Sequence, residues 1–474
     1  MKIKTFAGRL LLSGIMLLTG AADICAQSAI YACGHMRRNR SQAITNLRNS
    51  GYTTAILFNV NVEEDGSLTT DFNWSNQQAA EAGGIMCQDG EYVFGKYQPN
   101  YIKDITNLLT APTSISRLEF CIGGWGNGSY GNIKKLVERD GTGEETILYR
   151  NFKALHEALP QVVAVNNDQE QDYDVNAAAA FHLMLAEIGF KTTIAPYTNK
   201  SFWQRLVAKL NADSEICEIV YLQTYGGGAW NNPDDWKVFG DIPMYIGFDC
   251  EASADISAMK SSFTNWRDNC GTEGGFLWNY NSEARNLNEW ATAINRIYPT
   301  VEEQDPVAIF YQDIDFGGYA VGLPAGEFTQ ADLALYGIQA RDITSLKIVK
   351  EGYTVSMYKG SALRGTPSVW TESTTFVGSD WNDKVCSIRI EANEENSVAA
   401  VSSATTGMQV EATPGTLAVT GAAGDFVELY NAAGTLVSAT PAAPTGKTEV
   451  ATDGITAGIY IVRSAGDSVK TAIR

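Results

Sequence analysis

Two carboxylates, Asp168 and Glu170, stand two residues apart, shortly after an apolar run at residues 162–165. In an extended backbone, side chains two residues apart project to the same side, so each carboxylate can shift the pKa of the other. General acid and base catalysis uses pairs of this kind. The same acids also suit a second role, in which they solvate a loop and cap a helix beginning near Asp174. Taken alone, the stretch leaves both interpretations open.

The elements that must position these acids follow a repeating pattern. Strand and helix patterns alternate along the chain, which implies parallel strands joined by right-handed crossovers. Eight such units predict an α/β fold, a closed (β/α)8 or TIM barrel over residues 27–303, with catalytic groups at the carboxyl ends of its strands. A Gly- and Asn-rich stretch at residues 62–100 predicts a long loop on that face. The eight apolar runs are centred on residues 30–31, 55–58, 118–122, 162–165, 192–195, 219–222, 244–248 and 276–278.

The first 26 residues have the composition of a signal peptide, with Lys2, Lys4 and Arg9 before an apolar run and a small residue at Ala26. A secreted or cell-surface location follows. No later stretch is apolar and long enough to predict a transmembrane segment. The net charge of −19 disfavours nucleic acid as a partner. Cys250 and Cys270 are one candidate disulfide, and the other cysteines are expected to be buried thiols.

Four motifs in order along the barrel resemble segments of family 18 glycoside hydrolases. Asn166-x-Asp168-x-Glu170 is similar to that family's Asp-x-x-Asp-x-Asp-x-Glu motif, and residues 121–125, which end in Trp125, are similar to its Ser-x-Gly-Gly segment. Residues 223–226, Gln-Thr-Tyr-Gly, resemble its Met-x-Tyr-Asp segment, and Trp278 resembles the tryptophan that floors its sugar site. Val163 and Asn166 stand where the family has its first two aspartates, and Gly226 replaces its last.

This resemblance implies a retaining hydrolase that cleaves beside N-acetylglucosamine and needs no cofactor for catalysis. In it, the N-acetyl oxygen of the substrate attacks the anomeric carbon. Glu170 would be the general acid, Asp168 would orient the acetamido group, and Tyr225 would hydrogen-bond its oxygen. Trp278, Asn166, Gln223 and Trp125 would bind the glycan, although Trp278 could equally pack in the barrel core. Only one helix fits between residues 249 and 274, which favours the endo-β-N-acetylglucosaminidase branch. The alternative function is a catalytically inactive, lectin-like barrel.

Residues 305–392 change to short alternating strands, which predicts an all-β domain. Tyr311 followed by Phe316-x-Gly318, and Tyr358 followed by Leu363-x-Gly365, resemble the paired Greek-key motifs of βγ-crystallins. That family's calcium signature is similar to residues 341–345 and 382–387, so the resemblance implies Ca²⁺ as a possible ligand. A spacer or glycan-binding module without metal is the alternative. The implied ligands are Asp342, Thr344, Asn382 and Asp383, with Arg341 and Cys386 as departures from the signature.

The end of the chain predicts two further parts. Residues 393–407 are small and polar without periodicity, which is typical of a linker. Residues 408–474 alternate like the strands of a small all-β sandwich and include Gly458-Ile-Tyr-Ile-Val-Arg463. They resemble the immunoglobulin-like C-terminal sorting domain of type IX secretion, which implies the type IX secretion machinery as a partner.

Overall fold

The structure is a computed structural model. The predicted signal peptide, residues 1–26, and residues 394–407 of the predicted linker lie outside the part of the chain that it describes. The described residues are 28–34, 36, 39–70, 84–281, 286–299, 301, 304–393, 408–413, 415–422, 424–431, 435–452, 454–456, 458–465 and 467–473.

The first half of the described chain alternates strands with helices. Eight parallel strands close a barrel in the order β1–β2–β7–β8–β9–β10–β11–β12, which confirms the TIM-barrel-like α/β prediction. The strands are β1 (Ser28–Ala32), β2 (Thr54–Phe58), β3 (Asn61–Val62), β4 (Leu68–Thr69), β5 (Ile85–Gln88), β6 (Glu91–Tyr92), β7 (Arg117–Gly123), β8 (Ala164–Asp168), β9 (Lys191–Ile194), β10 (Cys217–Leu222), β11 (Met244–Asp249) and β12 (Gly274–Tyr280).

Helices surround this barrel and cover its outer face with an apolar core. Between β11 and β12 the chain forms the single helix that the sequence predicts. None of the described helices is both long enough and apolar enough to span a bilayer. The α-helices are α1 (Arg40–Arg48), α2 (Tyr101–Leu108), α3 (Ser129–Asp140), α4 (Ile147–Ala158), α5 (Val175–Ile188), α6 (Lys200–Leu210), α7 (Ile256–Cys270), α8 (Leu287–Ile297) and, after the barrel, α9 (Gln330–Leu335).

The fourth barrel strand, β8, starts later than its apolar run predicts. The run covers residues 162–165, but the strand is Ala164–Asp168, and Val163 before it is 39% exposed. The strand ends in polar residues because Asn166 and Asp168 point into a barrel interior that supplies hydrogen-bond partners. Hydrophobicity therefore marks only the first half of this strand.

The stretch predicted as a long loop, residues 62–100, also holds regular structure. Strands β3 to β6 form an antiparallel sheet, and the chain then enters α2. Asn151 of α4 holds this sheet, because its Nδ2 donates to the carbonyl of Gly66 and its Oδ1 accepts from the amide of Gly90, both at 2.7 Å. These strands are two to four residues long, too short to show alternation in the sequence.

The candidate disulfide between Cys250 and Cys270 was a wrong expectation. Neither residue forms a disulfide, and both side chains are buried. The Sγ of Cys250 lies 3.5 Å from the carbonyl oxygen of Asn279, and the Sγ of Cys270 lies 3.8 Å from Oδ1 of Asn232. Each thiol thus has its own polar contact, with Cys250 before α7 and Cys270 as the last residue of α7.

Residues 308–392 form an all-β module of two sheets over one apolar core. In the first half of the module, β15 leaves its own sheet and pairs with β19 of the other, as a Greek key requires. In the second half, Thr374 forms an isolated β-bridge with Leu346 of the first half. This topology is that of a βγ-crystallin-like domain. Its strands are β13 (Ala308–Tyr311), β14 (Ala320–Leu323), β15 (Gly326–Phe328), β16 (Ser345–Ile348), β17 (Tyr353–Tyr358), β18 (Ser368–Trp370) and β19 (Ser387–Ala392).

The last described segment is an all-β sandwich, in which a three-stranded and a four-stranded sheet enclose a small core. Strand β25 alternates exposed and buried side chains, as the sequence predicts. The strands are β20 (Gln409–Thr413), β21 (Thr416–Thr420), β22 (Phe426–Asn431), β23 (Leu436–Pro441), β24 (Lys447–Ala451), β25 (Gly458–Ser464) and β26 (Asp467–Ile473).

Candidate active site

The floor of the barrel mouth is a buried hydrogen-bond chain. The hydroxyl of Tyr31 donates to Oδ1 of Asn166 at 2.9 Å, and Nδ2 of Asn166 donates to Oγ1 of Thr193 at 3.0 Å. Thr193 in turn donates to the carboxylate of Glu119 at 2.6 Å. The hydroxyl of Thr193 donates its single proton to Glu119, so its oxygen can only accept a further hydrogen bond. The amide of Asn166 donates that hydrogen bond, which an ionised carboxylate at position 166 would not.

Glu119 is a residue that sequence reasoning missed. It lies on β7, fully buried, and also accepts from the hydroxyl of Tyr221 at 3.0 Å and from Nε of Arg117 at 2.6 Å. Its signal in the sequence is a charged residue inside an otherwise apolar strand, 117–123. The barrel thus holds a buried acidic side chain linked to Asn166 through Thr193, where the family resemblance expects an aspartate at position 166 itself.

Asp168 ends β8 and points into the mouth, with 3% of its surface exposed. Nε2 of Gln223 donates to its Oδ1 at 2.9 Å and also to the carbonyl of Ala195 at 3.0 Å. Burial and then the charge of Glu170 raise the pKa of Asp168 well above its usual range, against the effect of Gln223. Strands β8 and β10 therefore bring Asp168 and Gln223 into direct contact.

Glu170 lies two residues beyond β8 and is half-buried. Burial raises its pKa, while hydrogen bonding to Gln223 opposes the shift. The spacing of the two acids predicts that each shifts the pKa of the other. Burial is instead the largest cause for both pKa shifts, and the charge of Glu170 is the second cause for Asp168. Both shifts favour the protonated form of these acids relative to a carboxyl group in water.

The turn that carries Glu170 is fixed from outside the barrel. Oδ1 of Asn167 accepts from the backbone amide of Gln169 at 3.0 Å, and its Nδ2 contacts Nε2 of His182 at 3.0 Å. Burial lowers the pKa of His182 to about 3, so this imidazole is neutral and accepts from Asn167. Asp174 caps α5 by accepting from two of its amides. The helix-capping role that the sequence leaves open for these acids therefore belongs to Asp174. Asp168 and Glu170 lie at the barrel mouth instead.

Tyr225 follows β10 and packs against Phe276, with the ring centroids 6.1 Å apart. Gly247 of β11 makes this possible, since a Cβ there would lie 2.6 Å from the Tyr225 ring and 2.4 Å from Phe276. Burial, followed by the charge of Asp168, raises the pKa of Tyr225 well above its usual range. Its hydroxyl therefore keeps its proton and is available as a hydrogen-bond donor.

Trp278 is half-buried on β12, where it packs against Phe58 at 5.0 Å and Tyr31 at 5.3 Å between ring centroids. It also lines an open cavity of about 300 Å³ together with Trp125, which is 75% exposed. The structure thus gives Trp278 both of the roles considered from the sequence, packing on one side and lining the cleft on the other.

The two glycines before Trp125 bring the cavity wall close to Asp168. Gly123 and Gly124 have φ values of 113° and 104°, which side chains rarely tolerate. A Cβ on Gly123 would lie 2.2 Å from the carbonyl oxygen of Asp168, to which the amide of Gly124 donates at 2.7 Å. The motif at residues 121–125 therefore positions both the acid and the exposed tryptophan.

The predicted calcium ligands separate into two groups. Arg341 and Asp383 both have left-handed backbones, with φ values of 62° and 56°, so they are equivalent positions in the two repeats. Asp342 therefore stands at the position that Lys384 has in the second repeat. Nε2 of Gln312 donates to the Asp342 carboxylate at 3.1 Å. This geometry gives Asp342 a hydrogen bond within the module, which is against its predicted role as a calcium ligand.

The other three predicted ligands, Thr344, Asn382 and Asp383, lie on adjacent loops, since the amide of Asp383 donates to the carbonyl of Ile343 at 3.4 Å. Nδ2 of Asn382 donates to Asp383, and the buried Oδ1 of Asn382 has no partner among the described residues. Hydroxyl, amide and carboxylate oxygens suit a hard cation such as Ca²⁺. Within the described part of the chain, no group of three or more His, Cys, Asp and Glu residues could hold a metal.

Comparison with known proteins found matches among solved structures. No protein-family model and no curated protein matches the chain. A βγ-crystallin domain from Clostridium beijerinckii is 39% identical over 18% of this chain and 95% of its own, with a TM-score of 0.17. One from Flavobacterium johnsoniae is 34% identical over 19% and 97%, with a TM-score of 0.18. The N-terminal domain of protein S is 30% identical over 18% and 94%, with a TM-score of 0.17.

Proposed function

We propose that this protein is a retaining glycoside hydrolase that cleaves beside N-acetylglucosamine, in the manner of endo-β-N-acetylglucosaminidases. The observation that carries the proposal is the pair Asp168 and Glu170 at the carboxyl end of β8, both with pKa values raised by burial. Enzymes raise the pKa of a carboxyl group in this way when it must donate a proton near neutral pH.

Each residue has a step in the proposed reaction. Glu170, the more accessible acid, protonates the leaving oxygen while the acetamido oxygen of the substrate attacks the anomeric carbon. Asp168 orients the acetamido group and stabilises the positive charge that develops on it, and the hydroxyl of Tyr225 donates to the acetamido oxygen. Glu170 then takes a proton from the water that opens the cyclic intermediate. Gln223 holds Asp168 in place, since its amide is anchored to the carbonyl of Ala195.

A second candidate, a glycan-binding barrel without turnover, has one observation in its favour. Position 166 carries a neutral amide, and the buried carboxyl group of Glu119 is linked to it only through Thr193. An amide at that position removes one charge that could assist the movement of a proton between the acids.

Incubation of the wild-type protein with a high-mannose glycoprotein and, separately, with chitin oligomers tests the two candidates. Mass spectrometry should detect a released glycan that ends in a single N-acetylglucosamine, or shortened oligomers. Glycan binding without any released product would contradict the enzyme and favour the lectin.

The C-terminal sandwich supports a proposal about location, in which residues 408–474 direct type IX secretion to the cell surface after the signal peptide has been removed. The sandwich has its own core, which suits a separable module. Deletion of residues 408–474 should leave the barrel folded and trap the protein in the periplasm, as measured by cell fractionation. Unchanged surface delivery would refute the sorting role.

A further inference from the structure

A second open cavity, of about 420 Å³, lies where the βγ-crystallin-like module meets the barrel. Helix α8 holds the two together, because Oδ1 of Asn288 accepts from the amide of Ala340 at 2.8 Å and Nδ2 of Asn295 donates to the carbonyl of Ala334 at 2.9 Å. We call the cavity the junction pocket. One wall comes from α1 and the start of α8, and the other wall comes from the module.

The junction pocket carries two positive charges. Arg341 and Lys359 are the only charged residues in its described lining, and neither forms an ion pair within the described part of the chain. Nζ of Lys359 lies 4.7 Å from the centroid of the Trp381 ring, and the amide of Arg341 donates to the carbonyl of Val385 at 2.8 Å. The whole chain has 54 acidic and 35 basic residues, so two unpaired cations in one cavity depart from its prevailing charge. A cleft lined by one sign of charge concentrates ions of the opposite sign.

The crystallin-like fold does not require positive charge at these two positions. In the other half of the module, Asp383 stands at the position equivalent to Arg341. Gln312 and Lys359 are also equivalent, because each follows the first tyrosine of its Greek-key motif. The same backbone therefore accepts an acid and an amide. The positive charge belongs to the half that faces the barrel, which indicates a partner at the junction.

The barrel wall of the pocket is neutral in its described residues, and three of its amide groups already have partners. Nδ2 of Asn46 donates to the hydroxyl of Tyr280 at 2.8 Å, and Nδ2 of Asn49 donates to the carbonyl of Thr45 at 2.9 Å. Nδ2 of Asn288 donates to the carbonyl of Asn49 at 3.2 Å. The charge of a ligand is therefore met from the module side of the pocket.

The two cations define the chemistry of that ligand. The guanidinium of Arg341 can donate two parallel hydrogen bonds to one oxyanion, and the ammonium of Lys359 adds a point charge. A phosphate or sulfate group has several acceptor oxygens and a charge of about −2, which matches this pair. The cavity lies within the size range of small-molecule sites, so it has room for an organic group attached to the oxyanion.

We propose that the junction pocket binds a phosphate or sulfate group, free or esterified to a small molecule, through Arg341 and Lys359. A ligand that binds only the folded, docked arrangement also stabilises the module on the barrel. The inference goes beyond the proposed glycosidase activity and does not depend on it, because the junction pocket and the cavity at the barrel mouth share no lining residue in the described part of the chain.

The test is calorimetric titration of the full chain with inorganic sulfate, glucose 6-phosphate and glucose, at an ionic strength held constant with sodium chloride. Both anions should bind, and glucose should not. Arg341→Gln removes the charge and the paired donors, so the Kd of both anions should rise by about tenfold. Lys359→Gln provides a second, independent variant with the same expected loss of affinity. If the two cations only hold the module on the barrel, the variants should instead melt at a lower temperature without anion, with no change in Kd.

Lys347→Gln is the matched control. Like Lys359→Gln, it removes one positive charge from the module together with the contact of an ammonium group with an aromatic ring, since Nζ of Lys347 lies 4.4 Å from the centroid of the Phe316 ring. Lys347 does not line the junction pocket. This variant should bind both anions with the Kd of the wild type.

Four results would overturn the proposal: no binding of either anion at constant ionic strength, equal affinity for glucose and glucose 6-phosphate, an unchanged Kd in both pocket variants, or an equal rise of Kd in the Lys347→Gln control. The order of the two anions identifies the source of the oxyanion. Tighter binding of glucose 6-phosphate than of sulfate supports an ester as the ligand, and the reverse order supports a free ion in the same site.

Discussion

Two serines in the turns of the βγ-crystallin-like module and the two acids of the barrel mouth are all buried or half-buried polar side chains, but their hydrogen-bonding needs are met to different degrees. In the module, the hydroxyl of Ser345 donates to the carbonyl of Asp313 at 2.7 Å and accepts from the amide of Phe316 at 3.1 Å. Ser387 repeats this with Gly360 at 2.6 Å and Leu363 at 2.8 Å. The hydroxyl of each serine therefore donates one hydrogen bond and accepts another within the turn that it stabilises.

At the barrel mouth, the chain leaves polar groups unmatched. Asp168 and Glu170 have raised pKa values because burial disfavours their charged forms. The buried Oδ1 atoms of Asn59 and Asn279 have no partner among the described residues. Buried polar groups without partners cost stability. The comparison separates polar residues that serve the fold from those available for function, and the following predictions test it.

The largest effect is expected for Glu170→Gln. Glutamine keeps the shape of the side chain but has no acidic proton, so turnover of a defined N-acetylglucosamine oligosaccharide should fall by about 10²–10⁴-fold. Rates are measured under single-turnover conditions, and glycan affinity should be retained. Equal turnover in the two proteins would remove Glu170 from the mechanism.

Asp168→Asn should lower turnover while raising stability at neutral pH. The folded-state pKa of Asp168 is raised, so the folded protein binds a proton more tightly than the unfolded chain, and stability falls as pH rises from about 4 through the raised pKa. Asparagine is never charged and escapes this penalty. Melting curves should show the variant ahead at pH 8 and the difference shrinking towards pH 4. A variant that is less stable than the wild type at pH 8 would contradict the burial argument.

Ser387→Ala tests the other side of the comparison. The change leaves the amide of Leu363 and the carbonyl of Gly360 without the partner that they now share, so the module should lose about 1–3 kcal/mol of unfolding free energy. Chemical denaturation of residues 305–392 alone, whose tryptophans are Trp370 and Trp381, would report on this module through their fluorescence. Glycan turnover should stay at the wild-type rate, and a large loss of turnover would show that the two regions are coupled.

The smallest effect is expected from calcium. Millimolar calcium should raise the melting temperature of the full chain slightly, since a ligand that binds only the folded form stabilises it. Thr344→Arg should abolish the gain, because it replaces a possible oxygen ligand with a cation. Asp342→Asn is the control and should keep the gain, because the Asp342 carboxylate is already bonded to Gln312. If the wild type shows no shift, the module binds no calcium at this site.

Much of the fold follows from the sequence because it depends on local periodicity. Strand and helix alternation is enough to predict the eight-stranded barrel, and the spacing of Tyr311, Phe316 and Gly318 is enough to predict the crystallin-like turn. The failures are also local: the polar half of β8 and the short strands β3 to β6 carry no hydrophobic pattern to detect. The sequence shows only that Cys250 and Cys270 are both cysteines. Their separate contacts depend on how α7 packs.

The amino-acid sequence already shows which residues could perform chemistry at the mouth, because Asp168 and Glu170 stand two residues apart in the chain. What surrounds them depends on the folded protein. Glu119 contacts Asn166 only through Thr193 on another strand, and Asn59 and Asn279 line one cavity although 220 residues separate them in the chain. Such contacts depend on how the strands are ordered around the barrel, and burial, which sets the pKa values of the acids, exists only once the barrel has closed.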